Sequence, residues 1–516
     1  MIGVVVRNLV LGHRPVHALA EWAAPYDPTL LGLADGETGL LNDDRFGRTL
    51  ARLFDADRAS LLTELTLGMI AEFGIDTAQL HNDSTSITLT GAYEQADSRG
   101  RAGKPTPKIT WGHNTDHRPD LRQLVWILTV SADGAVPIAY RIADGNTADD
   151  PTHIPTWDAL VDLTGSTDFL YVADRKLASA EATGHIHARG GRLVTVLPRG
   201  RKEDTWLRGW IADHAPDWQE ALRLPGRRRG DPDRVWRALE SPLPSEQGFR
   251  IVWIHSNAKA ARDRASRHDR VIRGAAALDE LATKLAGPRC RYTDRIAVAA
   301  AARAFLDQTG AARWIAVTVT ETTQNTYRQD KRGRPGPNTT YRRTAKPRFG
   351  LDWRIRDDVV AADAASDGCF PLLSNDTTMT PAQVLAAYRY QPNLEKRHAC
   401  LKGTIEVAPV WLNDPARIEG LACCDYLALV IHALIERELR AAMAARSIRQ
   451  LSLYPEDRAC KAPTASRVLE IFTGLARHHL VCEGEIVRTF PPELTPLQHQ
   501  VLDLLGVPTT DYTKAS

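Results

Sequence analysis

The segment LRQLVWILTVSADGAVPIAYRIADGNTAD, residues 121–149, decides the fold of this chain. It holds two apolar runs, 124–130 and 136–142, on either side of an Asp-Gly dipeptide at 133–134. Such a dipeptide between two apolar runs predicts a β-hairpin. Residues 84–91, with Ile87 and Leu89 on one face, predict a strand that precedes the hairpin. The three strands are therefore expected to form an antiparallel meander.

Strands and helices alternate after the hairpin. Helices are predicted at 151–163 and 179–189, and strands at 169–173 and 193–197. Alternation of this kind implies parallel strands joined by crossover helices. Three antiparallel strands followed by β-α-β units are the layout of an RNase H-like (retroviral-integrase-like) catalytic core. The predicted fold class is therefore α/β, with the first part of this core at 76–200.

The first 75 residues are predicted to form a helical N-terminal domain. Asn42 can cap a helix that runs to about 54, and Asp57 can cap a second helix over 58–73. An apolar stripe on the second helix comprises Leu61, Leu62, Leu65, Met69, Ile70 and Phe73. DNA binding, dimerisation and packing against the core are all compatible with this pattern.

The pattern of the core is interrupted at 201–365, which we interpret as an inserted α+β domain with basic loops. Strands are predicted there at 251–255 and 314–319, and helices at 275–285 and 296–306. The second part of the core is expected at 366–445. It has a strand at 369–373, a helix at 381–388 and a long apolar helix at 417–445, and a C-terminal tail at 446–516 follows with one helix near 464–475.

Composition bounds the class of protein. The 516 residues carry a net charge of +2, with 43% hydrophobic and 25% charged residues, as in ordinary globular proteins. Seven scattered cysteines without a C-x2-C pair favour reduced thiols in the cytoplasm. We expect neither a signal peptide nor a membrane span, because the most apolar run, 418–435, contains Glu419, Asp425 and His432.

The stretch YRYQPNLEKRHACLK, residues 388–402, carries the pattern Y-x2-Q-x3-E-x6-K. Tyr388, Glu395 and Lys402 are seven residues apart, which places them on one face of a helix. Pro392 is expected to kink or restart that helix, so the argument is strongest for Glu395 and Lys402. A hydroxyl, a carboxylate and an ammonium in a row suit a site that holds metal and phosphate together.

Two aspartates complete a set of three distant carboxylates with Glu395. Asp83 lies in the first predicted strand, and Asp174 follows the apolar strand at 169–173. Taken singly, Asp83 could be a capping or pairing residue, Asp174 a helix N-cap, and Glu395 a solvated surface residue. Taken together, three carboxylates are what a two-metal phosphoryl-transfer site requires, and oxygen ligands suit Mg²⁺ or Mn²⁺.

Five blocks in this order resemble the DDE transposases of bacterial insertion sequences, in the group with a Y-x2-R-x3-E-x6-K signature. The blocks are HNDSTS, the segment 121–149, YVADRKLAS, DGCFPLL and 388–402, within about 40–445. The resemblance implies that Asp83, Asp174 and Glu395 are the catalytic triad and hold two Mg²⁺ or Mn²⁺ ions. It also implies phosphate contacts from the 388–402 stretch, and the residues expected to make them are Tyr388, Arg389 and Lys402.

One position departs from the signature of this group. Gln391 stands where the pattern has arginine, and an amide cannot bind phosphate with charge as a guanidinium does. Either Arg389 or Arg397 supplies the charge from nearby, or phosphate binding is weaker.

Basic residues cluster in two parts of the predicted insertion, near 199–237 and 328–348. Such residues on Gly- and Pro-rich loops neutralise DNA phosphates without reading sequence. The residues expected to do so are Arg332, Arg334, Arg342 and Arg343. A solvated surface loop is the alternative.

These observations predict a DNA transposase, cytoplasmic and nucleoid-associated when bound, that cuts the ends of its element and joins them to target DNA. Its partners would be double-stranded DNA with terminal inverted repeats, target DNA and a second copy of the chain. The alternatives are a related nuclease without strand transfer, a DNA-binding protein with an inactive core, and, on carboxylates alone, a glycosidase. A nucleotide-driven motor is disfavoured, because the sequence has no G-x4-G-K-[ST] loop.

Overall fold

The computed structural model describes residues 1–513 apart from positions 13, 35, 92, 94–99, 215, 288–289, 409 and 411. The chain has a mixed α/β fold and divides into two compact units. Unit 1 consists of Met1–Thr195, Ser374–Asp376 and Ala386–Ser516. Unit 2 consists of Val196–Leu373 and Thr377–Leu385.

Unit 1 contains a mixed arrangement of five strands. They are β1 (Gln79–Leu89), β2 (Arg122–Ser131), β3 (Pro137–Ala143), β4 (Leu170–Ala173) and β5 (Arg192–Val196). Their order is β3-β2-β1-β4-β5. The β1–β2 and β2–β3 pairs are antiparallel, whereas β1–β4 and β4–β5 are parallel. The predicted meander and the predicted parallel pairing are therefore confirmed.

Six helices precede or connect these strands. They are α1 (Ile2–Leu11), α2 (Leu19–Ala23), α3 (Asp43–Asp55), α4 (Arg58–Phe73), α5 (His153–Thr164) and α6 (Ala180–Ala188). The predicted caps are confirmed, because Asn42 accepts a hydrogen bond from the Arg45 amide and Asp57 accepts one from the Ser60 amide. The N-terminal helices share a core with the sheet, in which Val5 and Phe46 belong to the same buried cluster as Leu128.

The sequence left open whether the apolar stripe of α4 packs against the core, and the structure leaves much of this stripe exposed. Leu61, Leu65 and Phe73 are exposed, and the buried residue of this helix is Thr66. The Thr66 hydroxyl donates a hydrogen bond to the Ile138 carbonyl, and the half-buried Leu62, Met69 and Ile70 pack against the core clusters.

Unit 2 contains the predicted insertion. Its helices are α7 (Lys202–Asp213), α8 (Asn257–Ala286), α9 (Arg295–Thr309) and α10 (Asp357–Ala365). Its strands are β6 (Gln219–Leu224), β7 (Arg234–Glu240), β8 (Arg250–Ser256), β9 (Ile315–Gln329), β10 (Tyr341–Ile355) and β11 (Cys369–Ser374). Four of these are ordered β11-β8-β7-β6, whereas β9 and β10 form a separate two-stranded ribbon.

The second basic region was expected to be a loop, and the structure corrects this. Residues 328–329 and 341–348 lie in the paired strands of the β9–β10 ribbon, and only about ten residues between them form the turn. Five threonines in β9 help to explain the difference, because β-branched residues favour extended backbone and β10 pairs with β9 along its whole length.

The C-terminal third returns to unit 1. It begins with the end of α11 (Pro381–Tyr388), α12 (Gln391–Ala399), a π-helical turn (Cys400–Thr404) and α13 (Pro415–Ala445). It ends with α14 (Ala465–Glu470), β12 (His478–Cys482), β13 (Glu485–Phe490), α15 (Pro496–Leu505) and α16 (Thr510–Thr513).

The long helix α13 is the central element of unit 1. Leu429 packs in the cluster that holds the N-terminal helices, Ala433 in the cluster beneath β4, and Met443 in a third cluster at the C-terminus. Within the described residues it is the one helix long and apolar enough to cross a membrane, and 61% of its most apolar window is buried. Its apolar character is thus accounted for by packing.

The sequence predicted that residues 446–516 form a tail with a single helix, and this prediction is wrong. Val468, Val501 and Leu504 pack against Leu439 of α13 in a continuous core. A capping box in which Thr495 and Gln498 bond each other's backbone amides starts α15. The expected helix near 464–475 is present but shorter, at α14.

Candidate active site

Asp83 and Asp174 are placed side by side by the register of two parallel strands. Asn82 of β1 pairs with Ala173 of β4, and each aspartate is the next residue along its strand. Neighbouring strands lie about 4.8 Å apart, and paired positions point to the same side of a sheet. The structure therefore brings together two carboxylates that are 91 residues apart in the chain.

Glu395 is carried to the same place by α12, which docks on β1. One turn before Glu395, the buried Gln391 donates a hydrogen bond from Nε2 to the Asn82 carbonyl at 3.1 Å. One turn after it, His398 Nδ1 lies 3.8 Å from an Asp83 carboxylate oxygen. Glu395 thus lies on α12 between Gln391, which contacts Asn82, and His398, which contacts Asp83. The Glu395 side chain is itself exposed.

The pKa of Asp83 is raised in part by the charges of the neighbouring carboxylates. Burial raises the pKa of Asp83 to about 7, and the negative charges of Asp174, Asp149 and Glu395 add to the increase. Burial also raises the pKa of Asp174, with a further contribution from Asp149. A group of carboxylates that disfavour one another's charge is a site in which a cation would be stabilised.

Asp174 has a second role that the sequence also allowed. One of its oxygens accepts a hydrogen bond from the Lys176 amide at 2.8 Å and caps a short 3₁₀ helix. The backbone carbonyl of Asp174 accepts a bond from the Thr195 hydroxyl of β5. These contacts fix the position of the carboxylate at the end of β4.

Asp149 and His398 belong to this site but were not identified from the sequence. Asp149 accepts a short hydrogen bond from the hydroxyl of Ser84, the residue after Asp83. His398 is buried, and burial lowers its pKa to about 3, so the ring facing Asp83 is neutral. The acidic residue that closes the 121–149 segment was the available signal for Asp149.

Tyr388 lies beside the carboxylates, while Lys402 is held a little farther along β1. Burial raises the pKa of Tyr388 to about 12, and Asp174, Glu395 and Asp83 contribute to the shift. Lys402 Nζ donates to Asp116 at 2.9 Å and to the Thr115 hydroxyl at 3.2 Å, and that hydroxyl is hydrogen-bonded to Ser86 of β1.

The predicted single helical face for Tyr388, Glu395 and Lys402 is wrong. As Pro392 indicated, the helix restarts, since α11 ends at Tyr388 and α12 begins at Gln391. A π-helical turn then begins at Cys400, and its wider turn changes the direction of Lys402 relative to Glu395.

Gln391 is a structural residue in this chain. Its Oε1 lies 2.8 Å from His81 Nδ1, and Gln79 Nε2 lies 2.7 Å from the other ring nitrogen. Gln79 Nε2 can only donate, and Gln391 Oε1 can only accept. The His81 ring is therefore a neutral tautomer with its proton on Nδ1. Burial lowers the pKa of His81 to about 4, in keeping with that form.

Of the two positions suggested to replace the signature arginine, Arg397 is not a simple substitute. Arg397 is buried and pairs with Glu436 at 2.8 Å, and it also donates to the carbonyls of Gly134 and Ala135. Its charge is therefore committed inside unit 1. Arg389 is half-buried at the turn between α11 and α12 and stays a predicted phosphate contact.

Replacing Gln391 with methionine should lower the free energy of unfolding by about 1–3 kcal/mol. The change keeps the volume but leaves the Asn82 carbonyl and His81 Nδ1 without a partner in a buried place. Urea unfolding would measure the loss. Gln500→Met on the exposed surface of α15 is the matched control, and an equal effect of both changes would contradict the structural role of Gln391.

Carboxylate oxygens are among the ligands that Mg²⁺ or Mn²⁺ prefers. Among the residues that the structure describes, no group of three or more His, Cys, Asp or Glu side chains is arranged to bind a metal ion. The donor chemistry and the mutual repulsion around Asp83 nevertheless fit a divalent cation. Asp83, Asp174 and Glu395 are the residues that would hold it.

The basic residues predicted to contact DNA lie in unit 2. Arg342 and Arg343 are on β10, and Arg332 and Arg334 are in the turn of the ribbon, all exposed. Comparison of the sequence with models of protein families and with curated proteins finds no match.

Proposed function

We propose that this protein is a DDE-type DNA transposase that cleaves the ends of an insertion sequence and joins them to target DNA. The observation that carries the proposal is the register that sets Asp83 beside Asp174, with Glu395 brought to them by α12. In the proposed mechanism, three carboxylates from three distant segments would act together, as metal-dependent phosphoryl transfer requires.

The strand order of unit 1 supports an RNase H-like core. The order β3-β2-β1-β4-β5, with an antiparallel meander and two parallel strands, is the layout expected from the sequence. In this arrangement the first aspartate lies on the central strand β1 and the second at the end of the adjacent β4. The helix that follows unit 2 in the chain brings the glutamate.

The reaction needs no energy source beyond the DNA itself. In cleavage, water forms a bond to phosphorus, the bond to the 3′ oxygen breaks, and the proton lost by water appears on the released 3′-hydroxyl. In joining, that hydroxyl attacks a target phosphodiester and a target 3′-hydroxyl leaves. Divalent ions, when bound, supply Lewis-acid stabilisation of charge at the attacking and leaving oxygens.

The chain's own residues would position the DNA. Tyr388, beside the carboxylates, keeps its proton at neutral pH and can donate a hydrogen bond to a phosphate oxygen. Lys402 is paired with Asp116, so a phosphate would share or replace that carboxylate. Arg389 and the basic ribbon of unit 2 would add sequence-independent phosphate contacts.

The partners of this activity would be double-stranded DNA with terminal inverted repeats, target DNA, and a second copy of the chain. Two ends must be cut and joined together, and one carboxylate set serves one end at a time. The enzyme would act in the cytoplasm and associate with the nucleoid when bound to DNA.

The test is a cleavage and joining assay on a plasmid that carries the chromosomal DNA flanking the protein's own gene, with Mg²⁺ or Mn²⁺. The wild type should nick this DNA and produce joined molecules only with the metal. Glu395→Gln, which keeps the shape and removes the charge, should lose both products while retaining DNA affinity.

Glu181→Gln, on the exposed face of α6, is the matched control and should keep wild-type activity. Cleavage without joined products would favour the related nuclease. DNA binding without cleavage in any variant would favour a DNA-binding protein with an inactive core, and equal activity of wild type and Glu395→Gln would remove Glu395 from the triad.

A further inference from the structure

The β9–β10 ribbon of unit 2 extends well beyond the core that supports it. Its base is buried, where Ile315, Val319 and Phe349 pack against α8 and α9. From 321 to 347 nearly every residue is exposed on both faces, and we call this segment the arm. A two-stranded ribbon alone is only marginally stable in water. We therefore expect a binding partner to stabilise the arm.

The composition of the arm indicates a polyanion as that partner. It holds seven Lys or Arg and two acidic residues, a net charge of +5, whereas the whole chain carries +2 and the remainder therefore −3. It contains no Val, Ile, Leu, Met or Phe. Apart from the exposed Tyr327 and Tyr341, the arm presents polar and basic side chains, which suit phosphates better than an apolar protein interface.

The register of the ribbon places like charges together. Arg342 lies directly opposite Arg328, and pairs of like charge at facing positions destabilise a ribbon. Asp330, the acid nearest the tip, lies 3.6 Å from Arg342 and offsets one of the two. The repulsion that remains is relieved when the arm lies against negative charge.

The tip of the arm has a distinctive shape. It reads Lys331-Arg332-Gly333-Arg334-Pro335-Gly336-Pro337. Gly333 has φ +153°, which L side chains rarely adopt, and the space around its Cα is open. Two arginines thus flank a residue without a side chain, and the prolines after them favour extended backbone.

We propose that this tip enters the narrow minor groove of A·T-rich duplex DNA. The minor groove is about 6 Å wide, which excludes a ribbon with side chains on both faces but admits extended backbone at a glycine. A·T tracts narrow the groove and deepen its negative potential, which attracts arginine. G·C pairs place an amino group on the groove floor.

The inference rests on the proposed function for its duplex substrate and adds a preference for base composition. The strands of the arm, with Arg328, Arg342, Arg343 and Lys346, would contact the flanking phosphates. The tip would then select the A·T-rich segment. The arm would thus recognise base composition with residues that are distant in the sequence from Asp83, Asp174 and Glu395.

Fluorescence anisotropy of the full-length protein tests this with two 24-base-pair duplexes, one with a central A·T tract and one entirely G·C, at 150 mM salt. We expect the wild type to bind the A·T duplex about tenfold more tightly or better, because each groove contact contributes that order of discrimination. The double variant Arg332→Ala/Arg334→Ala should bind both duplexes equally. A minor-groove-binding polyamide should displace the wild type from the A·T duplex.

Arg342→Ala/Arg343→Ala is the matched control, since it removes the same charge from the strands. It should weaken binding to both duplexes alike and keep the preference. Equal wild-type affinity for the two duplexes, or a preference that survives loss of Arg332 and Arg334, would overturn the inference. Glu395→Gln should keep the preference while losing cleavage, so failure of the arm and failure of the proposed chemistry give different results.

Discussion

Replacing Asp83 with asparagine is expected to stabilise the metal-free protein at pH 8 and to abolish metal-dependent strand cleavage. Burial and the nearby Asp174 raise the pKa of Asp83 from 3.8 to about 7. In the unfolded chain Asp83 loses its proton near pH 4, whereas the folded protein holds it until about pH 7. Stability therefore falls as pH rises from about 4 to 7, and the full loss remains above pH 7.

Asparagine resembles the protonated carboxyl and removes this loss. Each tenfold change in proton affinity corresponds to about 1.4 kcal/mol, and the 29% exposure of the Asp83 side chain lets water screen part of the effect. We expect a gain of about 1–3 kcal/mol at pH 8, seen as a rise of a few degrees in the melting temperature, and almost none at pH 4.

The same change removes a proposed metal ligand. Loss of a residue that merely supports a ligand lowers metal affinity or activity by about 10- to 100-fold, so loss of a ligand should cost more than about a hundredfold. Thermal unfolding in chelator between pH 4 and 8, beside the cleavage assay, measures both effects. Asp162→Asn on the exposed side of α5 is the control, and a pH-independent gain would refute the role given to Asp83.

The second large effect is expected at Arg397, whose replacement with methionine should lower the free energy of unfolding by about 3–5 kcal/mol. Arg397 and Glu436 are 5% and 10% exposed, and removal of Arg397 leaves the buried Glu436 carboxylate with only its more distant cationic partner, Arg440, at 3.3 Å. The Gly134 and Ala135 carbonyls also lose their donors. Urea unfolding measures the loss.

Lys396→Met, one position earlier on the exposed face of α12, should change stability by less than about 0.5 kcal/mol. Because Arg397 ties α12 to the turn between β2 and β3, its loss should also reduce cleavage by displacing Glu395. A double-mutant cycle with Glu436→Gln should show a coupling of about 2 kcal/mol or more. A stable Arg397→Met protein with weakened DNA binding would instead support a phosphate role.

Local signals in the sequence were sufficient for the elements that carry the site. Caps at Asn42 and Asp57 fixed two helices, and the hairpin at 133–134 fixed the meander. Strand positions alone did not single out Asp83 and Asp174, which were selected by their combination with Glu395 and by the family resemblance. Register then determines their proximity, because Asn82 of β1 is paired with Ala173 of β4.

Other features depend on tertiary structure and left little trace in the sequence. The stripe of α4 is apolar whether or not another surface covers it, so burial could not be deduced from Leu61 or Leu65. The π-helical turn at Cys400 changes the direction of Lys402 without altering the spacing of letters. Asp149 joins the site through a hydroxyl of Ser84, a contact between residues 65 positions apart.

The split of unit 1 along the chain has a consequence for how the protein is made. Residues 1–195 emerge from the ribosome with core side chains such as Val5 and Leu128, whose partners on α13 are encoded more than 220 residues further on. At 5–20 residues per second, the nascent first half waits about 10–40 s for them. During that interval Asp83 and Asp174 exist without Glu395, so the proposed carboxylate site is complete only after the second half of the chain has been made.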